Sequence, residues 1–132
     1  MIGLDSNILV RFFTHDDPDQ TAVAVDIIEN RLSIDEPGFV SLIVLAETSW
    51  VLRRRYHYSW REVGGALKAL AQLSAVRLES EREAFTAISA AAEDGAELAD
   101  MLIAALARKA GCSVTLTFDE GAARLPGFQL AT

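Results

Sequence analysis

Four acidic residues occupy places where a carboxylate needs a reason. Glu47 interrupts an apolar stretch, between Val44-Leu45-Ala46 and Trp50-Val51-Leu52, and Asp100 lies between Leu98-Ala99 and Met101-Leu102. A carboxylate is costly to bury unless it is paired or binds a metal. One such acid alone reads equally well as a residue turned to water. Two of them, joined by Asp5 and Asp119 just after predicted strands, point to a site. Four carboxylates gathered without compensating bases repel one another, and a hard divalent cation resolves that repulsion. An all-oxygen donor set suits Mg²⁺ or Mn²⁺, with Mg²⁺ taking one or two carboxylates directly and water for the rest. A divalent ion lowers the pKa of its water and stabilises charge on a phosphoryl oxygen, so hydrolysis of a phosphodiester is the chemistry this set suits best.

Competing chemistries lack their residues. The two histidines, His15 and His57, have no partner at metal-ligand spacing, and His15 lies in a polar turn. The single cysteine, Cys112, excludes an internal disulfide and a cysteine zinc cluster. There is no nucleophile elbow, phosphate loop or dinucleotide fingerprint. Asp16-Asp17 stands before Pro18, where it reads as a helix start more readily than as a metal pair. Glu97, one turn before Asp100, either supports the site or simply begins a helix.

The elements that must carry these acids alternate between short apolar strands and amphipathic helices. Met1–Leu4 reads as a buried strand, followed by a helix from about Asn7 to Phe13. Pro18 then opens a helix whose inward positions are Ala22, Val25, Ile28 and Leu32. Pro37-Gly38 is a turn and Phe39-Val40 a short strand. Ser41 can cap a helix running from Leu42 to about Tyr56. Ser59-Trp60-Arg61-Glu62 has the form of a capping box, opening a helix with Val63, Leu67, Leu70 and Leu73 inward, and Ser80-Glu81-Arg82-Glu83 reads as a second. Val76–Leu78 alternates like a strand. A helix from about Glu97 to Ala110 turns Leu98, Met101, Leu102, Ala105 and Leu106 to the core, with Gly111 ending it. Val114–Thr117 and Phe128–Leu130 read as strands, the latter at an edge. The pattern predicts one α/β domain over residues 1–132 with a mainly parallel sheet, whose ligands bind beyond the carboxyl ends of the strands.

Half of the 132 residues are apolar, enough for a real core. The formal net charge of -7 runs against a nucleic-acid partner, which favours a basic surface. Acids around a metal are locally neutralised, however, and the consecutive Arg53, Arg54 and Arg55 make a local basic patch. They could hold nucleic-acid phosphates, although an arginine run on a helix is also what a solvated face looks like. Trp50, Tyr56, Tyr58 and Trp60 cluster near a helix junction, as core or as an anchor for a partner helix. No apolar run is long enough to cross a bilayer, and Met1 runs into Asp5 without a basic leader. The chain is therefore expected to be soluble and cytoplasmic, with no membrane partner.

The string Ile2-Gly3-Leu4-Asp5-Ser6-Asn7-Ile8-Leu9-Val10-Arg11 resembles the opening of PIN-domain nucleases, particularly the toxins of VapBC-type toxin–antitoxin pairs. Glu47 within Ser41–Leu52, Ala99-Asp100-Met101-Leu102-Ile103-Ala104 and the strand end Thr117-Phe118-Asp119 follow in the family order and span almost the whole chain. The resemblance implies a three-layer α/β/α sandwich forming a single PIN domain. It also implies RNA cleavage dependent on Mg²⁺ or Mn²⁺, a homodimer, and inhibition by a cognate VapB-type antitoxin. It assigns the acidic positions to Asp5, Glu47, Asp100 and Asp119, and places Asn7 and Thr117 at neighbouring polar positions. Ser6 stands where threonine is commoner in the family and keeps the hydroxyl. Two rivals are a phosphoacceptor receiver domain and a catalytically silent PIN-like binding module. The first wants an acidic pair after the first strand and a lysine near the last, and the second predicts a missing acid. This chain has neither feature.

Overall fold

The computed structural model describes residues 1–132. Strand β1 (Ile2–Gly3) leads into helices α1 (Ser6–Thr14) and α2 (Pro18–Asp26), and a π-helical turn (Ile27–Arg31) extends α2. Strand β2 (Gly38–Val40), helices α3 (Leu42–Arg54) and α4 (Trp60–Ala71), strand β3 (Val76–Leu78) and helices α5 (Glu81–Asp94) and α6 (Leu98–Lys109) follow. Strand β4 (Thr115–Thr117), a 3₁₀ turn (Ala122–Arg124) and strand β5 (Phe128–Leu130) complete the chain. All strand pairing is parallel, in the order β1-β2-β3 and, separately, β4-β5. These are the α/β elements and parallel strands that the alternation implied, consistent with the α/β/α sandwich that the resemblance implied. The structure differs in one respect, because the expected central sheet is divided into two ladders.

The core explains why these segments fold. Leu9, Val40, Leu45 and Leu52 are fully buried, and they come from α1, β2 and α3, so the helix carrying Glu47 is packed along one side by leucines. Helix starts are well provided. Ser41 accepts from the Val44 amide at 3.2 Å, and Glu79 accepts from the Leu42 amide at 2.9 Å, so two side chains satisfy the open amides of α3. Asp17 accepts from the Gln20 amide at 3.1 Å and Pro18 occupies the first turn of α2. The Ser59–Glu62 capping box is complete in both directions, at 3.0 and 2.9 Å. Gly111, with φ at 99°, follows the end of α6.

Five expectations need correcting. Strand β1 is not buried, because Ile2 and Gly3 are exposed and only Leu4 after them enters the core. Ser80 has a left-handed backbone (φ 47°) and makes no side-chain cap, so the second capping box does not form. Glu83 instead lies 3.4 Å from Lys109. The inward face of α2 is Thr21 and Ala24 rather than Ala22 and Val25, because the Thr21 hydroxyl donates to the Arg11 carbonyl at 3.3 Å and can be buried without penalty. Leu73 lies beyond the end of α4 and is exposed. Leu106 faces outward while Ala104 is buried, since α6 packs on α5 and α3 through Leu98, Met101 and Leu102.

Helix α4 lies against α5 at Gly64, where an added Cβ would stand 2.6 Å from the Ala92 Cβ. Neither atom can swing aside. Gly64→Ala is therefore expected to destabilise the fold by about 1–3 kcal/mol despite alanine's better helix propensity of about 1 kcal/mol. Urea unfolding tests this, and a stabilised variant would show that the two helices have room to separate.

Candidate functional site

Parallel strands place their carboxyl ends at one rim of each ladder, and the chemistry-bearing residues emerge there. Asp5 follows β1 after Leu4 and precedes α1 with an extended backbone, its carboxylate exposed and not used to cap the helix. The Asn7 side-chain amide lies 3.4 Å from the Asp5 carboxylate. The next residue, Ser6, is buried and donates its hydroxyl to Glu47, which is itself exposed on α3. This short contact ties the Asp5 turn to the α3 acid across two elements. The direct Ser6 link to Glu47 goes beyond what the sequence reading assigned. Helical spacing carries the signal, since Ser6 shares the inward face of α1 with Leu9 and Val10.

Asp100 sits half-buried in the first turn of α6. Burial first, then the charges of Asp119 and Glu97, hold its carboxyl above the ordinary carboxylate range. Glu97 precedes α6, half-buried, and pairs with Arg54 of α3 at 3.1 Å. Asp119 is fixed by its own turn. One of its oxygens accepts from the Gly121 and Ala122 amides at 2.8 and 3.2 Å, and its amide donates to the Thr117 hydroxyl at 3.0 Å. The second oxygen of Asp119 is left for a ligand.

Two sets of links therefore connect the acids: Ser6, next to Asp5, bonds Glu47 of α3, and the charges of Asp119 and Glu97 act on Asp100 of α6, a helix that packs on α3. No three carboxylate, imidazole or thiol side chains lie close enough to hold one metal ion between them. The donor chemistry still suits a hard cation: oxygen ligands only, with the negative charges of Asp119 and Glu97 acting on Asp100. Mg²⁺ binds through one or two carboxylates and reaches others through water, so the acids need not share a coordination sphere.

The arginine run separates into different roles. Arg53 turns inward, donates to the Tyr58 carbonyl at 2.9 Å and lies 3.8 Å from the Trp60 ring centroid, which makes it a brace between α3 and α4. Arg54 holds Glu97, and Arg55 is exposed. The aromatic cluster divides likewise. Tyr56 donates to Asp16 at 2.5 Å and accepts from Arg11 at 3.1 Å, and Tyr58 donates to the Phe13 carbonyl at 3.2 Å. Trp60 lies under Arg53, and Trp50 is exposed. Asp16 is held below its ordinary value by the Tyr56 hydrogen bond, so it is part of a surface network.

No helix is long and apolar enough to cross a membrane. A comparison with curated proteins returns no match. The family description "PIN domain", a nuclease-type domain, matches residues 2–127 and so takes in all four acidic positions together with every strand that carries them. By that near-complete match, on a parallel α/β frame, the chain belongs to the PIN-domain family.

Proposed function

We propose that this PIN domain is a metal-dependent endoribonuclease that hydrolyses RNA phosphodiester bonds, acting as the toxin of a toxin–antitoxin pair and neutralised by a cognate VapB-type antitoxin. The observation that carries the hydrolytic reading is the half-buried Asp100 in the first turn of α6, its carboxyl held above the ordinary range by burial and then by the charges of Asp119 and Glu97. Acids crowded in this way cost stability unless a cation or proton joins them.

Asp5 and Asp100 are the principal candidates to hold Mg²⁺ or Mn²⁺, with Glu47 and Asp119 binding directly or through water. When bound, the ion supplies charge stabilisation at the phosphoryl oxygens and a water acidic enough to act at neutral pH. The chain's own contribution is positioning. Ser6 fixes the Glu47 carboxylate, and Asn7 orients Asp5. The turn at Gly121-Ala122 holds one Asp119 oxygen and leaves the other without a hydrogen-bond partner. Ser6, the one hydroxyl bonded to these acids, is buried and donates to Glu47, so it serves as a positioning group and water is the attacking group in this reading.

The partner half of the proposal rests on exposed apolar side chains. Phe118 is 87% exposed beside Asp119, Leu116 is 62% exposed on β4, and Ile43 is 79% exposed at the start of α3. Exposed apolar side chains of this kind are what an antitoxin segment or a second copy covers.

Incubating the protein with structured RNA in Mg²⁺, in Mn²⁺ and in EDTA tests the activity. Cleavage is expected in either metal and absent in EDTA. Cleavage that persists unchanged in Asp5→Asn would place the activity elsewhere. No cleavage of any RNA, with a thermal midpoint insensitive to millimolar Mg²⁺, would favour the silent binding module.

A further inference from the structure

The cleft between α1 and α2 opens beside the Asp5 turn and holds about 520 Å³, within the size range of ligand sites. Its apolar lining includes Ile8 and Val23, and its polar lining Asn7, Arg11, Asp19 and Gln20. Asn7 belongs to both places, since it lines the cleft and its amide nitrogen lies 3.4 Å from the Asp5 carboxylate. A nucleic-acid strand with a phosphate at Asp5 therefore has this cleft as the neighbouring space for one of its bases.

The polar lining is oriented from within the chain. A guanidinium can only donate, so Gln20 must present its carbonyl oxygen to Arg11 Nε, which lies 2.7 Å away. That fixes the Gln20 amide and leaves its NH₂ group free. Arg11 Nη1 is already used by Asp16 at 3.0 Å and Tyr56 at 3.1 Å, which leaves Nη2 as its open donor. Asp19, exposed on the first turn of α2, supplies only acceptors. The cleft thus combines an apolar surface for a flat ring with oriented donors and one carboxylate. Among the bases, guanine alone offers acceptors at O6 and N7 alongside adjacent N–H donors at N1 and N2. Adenine carries a donor at the position of O6 and no hydrogen on N1. Cytosine and uracil lack the paired N–H donors.

We propose that this α1/α2 cleft binds an unpaired guanine of the RNA adjoining the phosphate handled at Asp5. Gln20 and Arg11 donate to O6 and N7, and Asp19 accepts from N1 and N2. This rests on the ribonuclease reading for its place in the reaction, but binding can be measured without any cleavage. The probes are GMP, AMP, CMP and UMP added in EDTA to isotope-labelled protein, following the side-chain NH₂ resonances of Gln20 and Asn7. GMP is expected to shift both, binding about tenfold or more tightly than the others. Asp19→Asn is expected to remove that preference while leaving the weak affinity for the other three unchanged. Gln20→Ala gives a second variant, because its side chain is exposed and its loss leaves the core intact.

Equal shifts from all four nucleotides, or no shift at Gln20, overturn the proposal. A cleavage pattern on RNA that is the same in wild type and Asp19→Asn does so as well. GMP binding in the cleft by a protein that cuts no RNA would leave the guanine site standing and remove the ribonuclease reading. Metal-dependent cutting that ignores guanine would do the reverse.

Discussion

Asp100→Asn is expected to raise the thermal midpoint of the metal-free protein while abolishing cleavage. Its carboxyl is held above the ordinary range in the folded state by burial and by Asp119 and Glu97. The folded protein therefore binds that proton more tightly than the unfolded chain does. Asp100 favours folding at pH values below its unfolded pKa. That advantage is lost as the pH rises through the carboxylate range to the folded pKa. At neutral pH the ionised group opposes folding, and a neutral amide of the same shape removes the opposition. Melting curves in EDTA should show the variant a few degrees above wild type at pH 8, with the gap closing toward pH 4. Activity should fall by at least about 100-fold, because even residues that merely orient metal ligands cost about 10–100-fold when replaced. A midpoint lowered at both pH values would mean that Asp100 is a structural partner of the fold.

Leu45→Ala should produce the largest loss of stability. Leu45 is fully buried on α3, two residues before Glu47. Truncating a buried leucine costs about 2–5 kcal/mol through lost transfer energy and the cavity left behind. A domain of this size has about 5–15 kcal/mol in total, so the variant should unfold at markedly lower denaturant. Glu47 shares the helix, and Ser6 must meet it, so loosening α3 should also weaken metal-dependent activity at temperatures where the variant remains folded. A loss below about 1 kcal/mol would show that α3 is not held by this leucine.

Much of the element order was legible because each helix carries its own local signals. Pro18 after Asp17, the Ser59–Glu62 box and Gly111 each act within a few residues, and each forms. The Ser80 box failed although its letters match, because a cap also needs an extended backbone and Ser80 is left-handed. That backbone angle is set by how β3 hands over to α5. Thr21 escaped notice for a different reason. It is polar, and only the Arg11 carbonyl within hydrogen-bonding distance makes its burial affordable. The acids followed the same division. Their apolar settings and strand-end positions were readable one at a time, whereas the Ser6–Glu47 hydrogen bond and the Arg54–Glu97 pair join residues about forty positions apart. Exposure of Leu73 and Leu106 was equally hidden, since an apolar residue in a periodic segment looks like core until the neighbouring layer is in place.

No backbone hydrogen bond joins β1 to β4, although Asp5 follows the first and Asp119 the second. A continuous ladder would act as a stiff beam, with the span between those acids set by strand spacing. Here no strand register fixes the span, and α6 packs both on α3 and on β4. A substitution where α6 packs on α3 or on β4 can therefore change that span without breaking a single strand hydrogen bond.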